Sequence, residues 1–535
     1  MKEMYAFIFE MILGISILII YAKSCKARNI ILKIENVMSR IQVMYVPLLI
    51  FMAFMLSLGF INGGHDWGGD FSQYIAQTQA LINGTVKEQA EIGKYISDNS
   101  VVGLCPDVYP WGYSFIILPV YIIFGMNFKI LKMVGAIYFI VFQIVFFEFC
   151  KKRFQPLTAF LLTLLFTFNQ GYLTIVDSVI SDMPFLFFSI MGIFAFYKIL
   201  TQEKNQILWA SICGLMTFGA YFCRANGIVS ILTIICIDLL FVVRKLCPFV
   251  DDKLKNAGIK RQKVSYHLII YIVFFIGKFL IDSFLPKAGS GYSTLIDEMS
   301  IYSILNNIKA YYFAIAEFFK MGDYFGLVVM PIFLILFFIG VLDQFWNELP
   351  MIVYVFGMLG LLIIYPGFQG MRYAFTVIPF AVVLATQGLR KLIGMVKKFD
   401  RYQLVVSARL ITACCCACML AFSLRMIVIC HITKTYTTNQ AYTLEAQETY
   451  EYIKQNTNED DIIIFCKPRV LWLNTGRLGF SISDNADNLE RGDYILLLKD
   501  DHLDSVKSEV EKDSNKYQLE FDNHEFQLYK INKGV

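Results

Sequence analysis

Runs of mostly apolar residues recur along this chain, and they decide which solvent it folds in. A helix that crosses a bilayer needs about 20 such residues, because roughly 30 Å of hydrocarbon is spanned at about 1.5 Å per residue. Twelve candidate runs fall at 5–22, 43–61, 130–149, 157–175, 183–200, 207–222, 226–243, 264–284, 324–341, 350–365, 373–390 and 405–429. Of the 535 residues, 57% are hydrophobic and only 17% charged, whereas soluble domains carry about a quarter charged. A water-soluble core of this length has no room for so much apolar surface. The expected fold is an α-helical polytopic membrane protein with about 12 transmembrane helices.

Charge then sets the topology. Lys and Arg gather in 23–42 (five), 151–153 (three), 244–263 (seven) and 390–401 (five), while 62–112, 173–182, 223–225 and 366–372 carry few or none. With twelve spans, every basic segment falls on the cytoplasmic side. A thirteenth apolar stretch, 113–125, breaks that pattern if it crosses. At 13 residues it is also short for a crossing, so it is expected to lie along or dip into the interface. The acidic segment "DQFWNELP" at 343–350 is the exception on the basic side.

Both termini and the first long loop then face outward. From His431 onward the chain has 12 Lys and Arg against 19 Asp and Glu; the remainder has 35 against 24. The chain therefore divides into a basic membrane module, 1–430, whose first extracytoplasmic loop is 62–129, and an acidic extracytoplasmic module, 431–535. In the latter, "TLEAQETYEYIKQN" has helical spacing, and "DIIIFC", "DYILLLK" and "EFQLYKI" read as strands, which predicts a small α/β fold. No basic patch sits on a soluble module, so nucleic acid is not an expected partner. The N-terminal run contains Glu10 and lacks a small-residue cleavage site, so it reads as a retained helix. The cysteines of "ACCCACML" lie in an apolar run and read as small apolar residues of a membrane helix.

Ionisable groups at membrane depth are costly and mark function. On the expected outer face, Asp66, Asp70, Lys129, Lys132, Asp177, Asp182, Arg224 and Arg372 all sit at ends of spans or in the first loop. Acids from separate helices and several cations at one depth suit an anionic lipid headgroup and an acid/base pair.

The motifs "DFSQYIAQTQALINGT", "YPWGYSFIILPVYIIFG", "SDMPFLFFSIMGIFAFY", "FCRANGI" and "GMRYAFTVIPF" follow in that order, with "CKPRVLWLNTGR" in the tail. Together they resemble the GT-C type of membrane glycosyltransferase. The similarity is closest to bacterial relatives of dolichyl-phosphate-mannose protein mannosyltransferases and of the aminoarabinose transferase of lipid A. It spans roughly residues 43–480. The run 5–22 is outside the usual pattern, and "YPWGY" replaces the commoner "YPPGY". The resemblance implies transfer of a sugar from a polyprenyl phosphate to an acceptor hydroxyl at the outer leaflet. It maps the acidic motif of the first loop to Asp70, with Asp66 before it, and a second acid to Asp182.

Elementary chemistry agrees. A hydroxyl is a poor nucleophile, so a carboxylate should take its proton as it attacks the anomeric carbon. Positive charge builds on the sugar and negative charge on the departing phosphate, which cations stabilise. We therefore assign Asp70 and Asp182 as catalytic, and Asp66, Lys129, Asp177, Arg224, Arg372 and Tyr373 to substrate binding. A single displacement inverts the anomeric centre. Expected partners are membrane lipids, the polyprenyl-phosphate sugar, and an acceptor lipid, protein or glycan.

Each assignment has a plainer counterpart. Asp66 and Asp70 suit helix N-caps or the glycine-rich turn before "FSQYIAQTQALIN". His65 reads as a surface turn residue, and Lys129 and Lys132 as snorkelling groups. No dedicated metal-ligand set is assigned; Asp66 with Asp70 is the one candidate place for a divalent cation. "GSGY" at 289–292 has no nucleotide-binding pattern, which fits a lipid-linked donor. The rival class is a transporter or lipid flippase. It calls for charges buried mid-span and matching broken helices in two halves, and neither is evident.

Overall fold

The computed structural model describes residue 16 and residues 25–100, 106–201, 204–259, 264–287, 300–319, 325–365, 368, 370–396, 400–433, 440–485 and 489–533. Apart from residue 16, the expected span 5–22 lies outside these residues, as does the "GSGY" loop.

An amphipathic helix, α1 (Cys25–Arg40), leads into α2 (Tyr45–Phe60). The first loop folds into α3 (Gly69–Asn83), α4 (Val86–Asn99) and α5 (Gly112–Phe124). Then come α6 (Phe128–Lys151), α7 (Pro156–Thr167), α8 (Gln170–Val176), α9 (Asp182–Leu200), α10 (Gln206–Cys223) and α11 (Ile228–Val243). They are followed by α12 (Pro248–Asn256), α13 (Val264–Phe284), α14 (Ile301–Ala316), α15 (Phe325–Gln344), α16 (Leu349–Ile364), α17 (Val377–Met395) and α18 (Arg401–Thr433). Among the described residues, nine helices are each long and apolar enough to cross a membrane. The helix α6, at 24 residues, is about 36 Å long, enough for the hydrocarbon core.

The run 157–175 is not one straight helix. It breaks into α7 and α8, which meet at 58°. Asn169 makes the break: its side chain accepts from the Tyr172 amide at 3.3 Å and donates to the Phe318 carbonyl at 2.8 Å. It thereby starts a second helix and ties it to a distant segment. The 16-residue α16 corresponds to the expected span 350–365. The 13-residue α5 packs on α3 while leaving Ile122, Ile123 and Phe124 exposed, as a short interfacial helix would.

The bundle core is aromatic. Phe142, Phe146, Phe166 and Tyr172 are fully buried and stack or meet edge to face. The helices α15 and α17 touch backbone to backbone. A Cβ on Gly340 would lie 1.9 Å from the Leu384 carbonyl oxygen, and one on Gly388 2.0 Å from that of Leu336. Small residues permit this approach, which supplies packing where no hydrophobic drive exists between helices in lipid.

The exception in the charge pattern resolves at one end of the bundle. Arg153 grips both oxygens of Glu348 at 2.7 Å, and Lys391 pairs with Asp343 at 2.5 Å. The acids of 343–350 thus meet the cations of 151–153 and 390–401, all at the same end.

Residues 440–533 form α19 (Leu444–Asn456), α20 (Pro468–Thr475), α21 (Asp504–Lys512) and five strands: β1 (Ile463–Ile464), β2 (Gly479–Phe480), β3 (Tyr494–Leu498), β4 (Tyr517–Asp522) and β5 (Phe526–Ile531). The order is β2-β1-β3-β5-β4. β1 runs parallel to β2 and β3, and β5 antiparallel to β3 and β4. The sheet contributes Ile463, Leu496 and Phe526 to an apolar cluster shared with Phe71, Ile75 and Phe128 of the membrane module. The two parts are joined by a common core.

Candidate active site

Five elements bring charged side chains to one end of the bundle. Asp70 lies in the first turn of α3. It is not the cap: Gly68 holds that position, with no side-chain capping bond. Its carboxylate is therefore free for other work. Arg372 sits in a short 3-10 turn, Met371–Ala374, entered through Gly370 at φ 77°, a left-handed conformation that favours glycine. That turn aims the guanidinium back across 302 residues of chain to form an ion pair with Asp70 Oδ2. The other oxygen of Asp70 accepts from the Tyr109 hydroxyl at 2.8 Å. Both members of the pair are about a quarter exposed, 25% for Asp70 and 28% for Arg372.

A second pair lies beside the first. Arg224, between α10 and α11, donates to Asp182 Oδ2 at 2.9 Å, and Asp182 is 2% exposed. Tyr373 bridges the two guanidinium groups, with Arg224 4.4 Å and Arg372 5.4 Å from its ring centre. The resulting cleft, about 280 Å³, is lined by Asp70, Tyr74, Tyr109, Arg224, Arg372 and Tyr373, and is walled on one side by Leu361, Leu362 and Tyr365. Asp182 lies behind Arg224, outside the lining. There it neutralises Arg224 and fixes its orientation.

Burial works to raise the Asp70 pKa, but the Arg372 and Arg224 charges and the Arg372 and Tyr109 hydrogen bonds outweigh it, so the carboxyl lies below its ordinary value. The same surroundings act in reverse on Tyr109. Burial first, then the Asp70 charge, push its hydroxyl far above the usual phenol range. Tyr109 therefore serves as a hydrogen-bond donor and not as a base.

The other predicted residues take up different posts. Asp177 binds the Asn62 amide at 2.9 Å, the Asn62 side chain at 2.6 Å and Lys132 at 2.7 Å. Lys132 is fully buried, so it does not snorkel to headgroups. A buried charge must be paired, and this cluster anchors the entry to the first loop. Asp177 does not line the cleft. Asp66 serves the turn: its Oδ1 accepts from the Gly68 amide at 3.0 Å and contacts His65 Nδ1 at 2.8 Å. Burial raises its pKa, but the His65 contacts and the Gly68 amide lower it further, leaving it below the ordinary value. His65 is not a surface residue but is 2% exposed. Its ring stacks on Phe71 at 3.9 Å, and its Nε2 accepts from the Val179 amide at 3.0 Å; that bond leaves the proton on Nδ1, facing Asp66. Lys129 is exposed, beside Gly63 and outside the cleft lining.

These commitments bear on a divalent cation. Asp66 and Asp70 face different partners, and the Asp70 carboxylate already holds a guanidinium and a hydroxyl. Among the described residues, no group of three or more His, Cys, Asp or Glu side chains is arranged to share an ion.

One residue of the site was not chosen from sequence. Arg469, at the start of α20 in the tail, is 4% exposed. It donates to the Tyr109 hydroxyl and to the Pro106 carbonyl, each at 2.9 Å. The relay Arg469–Tyr109–Asp70–Arg372 thus joins the tail to the cleft. The motif "CKPRVLWLNTGR" is part of the family resemblance, yet nothing local connects position 469 to position 70.

At the level of sequence, no family model and no curated protein matches this chain. Solved structures do match in shape. ArnT from Cupriavidus metallidurans in the apo state superposes with a TM-score of 0.54 at 12% identity, covering 91% of this chain and 97% of that one. The same protein bound to undecaprenyl phosphate gives 0.52 at 10% identity, over 92% and 98%. The archaeal oligosaccharyltransferase AglB from Archaeoglobus fulgidus, in complex with an inhibitory peptide and a dolichol phosphate, gives 0.51 at 10% identity, over 85% and 69%. At such identities the likeness is one of fold.

Proposed function

We propose, on the premise of the GT-C fold, that this protein is an inverting glycosyltransferase that moves a sugar from a polyprenyl-phosphate donor to an acceptor hydroxyl on the outer membrane face. The observation that carries this reading is the contact between Asp70 and Arg372 in a cleft that holds a second guanidinium, Arg224. A carboxylate beside two fork-shaped cations suits a proton acceptor next to a phosphate.

In this reading the acceptor oxygen attacks the anomeric carbon as the bond to the phosphate oxygen breaks. The bonding electrons leave with the lipid phosphate, and the hydroxyl proton passes to Asp70. Arg372 and Arg224 hold the phosphate as its charge grows. Tyr373 lies against both guanidiniums, and Asp182 keeps Arg224 in place. Because Arg372 lowers the basicity of Asp70 while paired with it, a phosphate that draws Arg372 onto itself frees the base. Donor binding then activates the carboxylate at the moment it is needed. The neighbours support the donor class: one is bound to undecaprenyl phosphate and another holds a dolichol phosphate.

The test supplies purified protein with a panel of polyprenyl-phosphate sugars and measures free lipid phosphate. Release by wild type, and its loss by about 10²–10⁴-fold in a folded Asp70→Asn variant, is the expected result. No release from any donor, with or without divalent ions, would overturn the proposal.

A further inference from the structure

A group of buried hydroxyls lies beneath the cleft, and the transfer reaction does not use it. Ser189 is on α9, Ser230 on α11 and Tyr354 on α16, and Thr376 holds the position before α17. All four residues are at most 1% exposed. The Ser189, Ser230 and Thr376 side chains gather around the Tyr354 hydroxyl, yet none of the four oxygens stands in a geometry that closes a hydrogen bond. Each is tied through the chain to the cleft. Ser189 follows Asp182 by seven residues, Ser230 follows Arg224 by six and Thr376 follows Arg372 by four. Tyr354 precedes Leu361, which walls the cleft, by seven. Seven residues of helix span about 10 Å, so α9 and α16 both carry the group about that far below the cleft.

Hydroxyls in this bundle ordinarily find a partner close by. A helical Ser or Thr can donate to the carbonyl one turn back, and Thr163, Thr217 and Thr233 do so, each at 2.8 Å. Thr233 shares α11 with Ser230. Tyr172, as fully buried as Tyr354, donates to the Phe375 carbonyl at 2.9 Å. The four hydroxyls instead meet at one point from four segments of chain. A buried polar group without a bond is costly, and each hydroxyl can both donate and accept. One small molecule among them, able to do the same, satisfies the whole group.

We propose that Ser189, Ser230, Tyr354 and Thr376 form a binding site for an internal water molecule, which pins together the three segments that present Asp182, Arg224 and Arg372. Buried waters make about three hydrogen bonds, typically to buried polar groups that have no other partner. A metal cation suits the site less well. The four side chains include no carboxylate, so the charge of a cation would stand uncompensated inside the bundle.

The test is X-ray footprinting of the full chain in neutral detergent, read by mass spectrometry. Radiolysis of a bound water oxidises the side chains that touch it, whereas an equally buried ring without a water stays unmodified. Tyr354 is expected to be oxidised several-fold faster than Tyr172, whose hydroxyl is held by a carbonyl. The double variant Ser189→Ala/Thr376→Val removes two of the four partners at nearly constant volume, and there Tyr354 oxidation should fall toward the Tyr172 rate. A wild-type Tyr354 as inert as Tyr172 would overturn the proposal, since the hydroxyls would then be satisfied by one another. So would undiminished oxidation of Tyr354 in the folded double variant. Thermal unfolding tests the pin. Ser189→Ala and Thr376→Val should each lower the unfolding temperature, and their effects should combine non-additively, as expected of groups in one hydrogen-bond network; strictly additive effects would overturn the bridge. Should the double variant fail to fold, the wild-type comparison of Tyr354 with Tyr172 decides.

Discussion

Removing the Tyr109 hydroxyl isolates one link of the relay. In Tyr109→Phe the ring remains, but Asp70 Oδ1 loses a donor at 2.8 Å and Arg469 loses an acceptor at 2.9 Å. A hydrogen bond to a charged group contributes about 1.5–3 kcal/mol. Asp70 is 25% exposed, so water recovers part of the bond, and a loss of about 1–2 kcal/mol in the stabilisation of its carboxylate is expected. The sign follows from the environment: Tyr109 and Arg372 lower this pKa, so deleting either raises it. The acid limb of lipid-phosphate release against pH should move to higher pH, with activity above that limb largely retained. The stability that the depressed carboxyl confers is present above its unfolded pKa, about 3.9, and is lost as pH falls through its lower folded value. That window should narrow in the variant. An acid limb that stays where wild type has it, in an active and folded Tyr109→Phe protein, would refute the claim that the tail tunes the base through Tyr109.

Other expectations concern the frame around the site. Asp182→Ala leaves Arg224 buried without its carboxylate, which should cost about 3–5 kcal/mol and lower the thermal unfolding temperature in detergent; Asp182→Asn should cost less. Gly340→Val places a side chain against the Leu384 carbonyl and should destabilise by about 1–3 kcal/mol or more, whereas Gly360→Val, where a Cβ meets nothing within 4 Å, should be tolerated. In a cysteine-depleted background, Ala90→Cys should react with a membrane-impermeant thiol reagent from outside and Lys255→Cys only from inside. The reverse pattern would invert the topology and remove the outward-facing cleft.

What the sequence determined by itself was the solvent and the helices. Apolar runs of bilayer length need no long-range contact to declare themselves, since in lipid every backbone group must be satisfied within its own helix. Thus α6, α9, α11 and α13 appear at the expected positions, and the acids and cations that the motifs single out fall at one end of the spans. Strands were less legible: the "DIIIFC" run keeps only Ile463–Ile464 as β1, and β4, with its exposed Leu519, carried no clear pattern. Strand pairing depends on partners far along the chain. Only the tertiary structure decided which charges meet. Asp70 and Arg372 stand 302 residues apart, and Arg469 and Tyr109 stand 360 apart. Asp66, Asp70, Asp177 and Asp182 look alike in sequence, yet each has its own partner: a turn amide with His65, a shared cleft, a buried lysine, and a guanidinium that faces the cleft. Hydrophobicity is a property of a segment, whereas the role of a carboxylate depends on what packing places within about 3 Å of it.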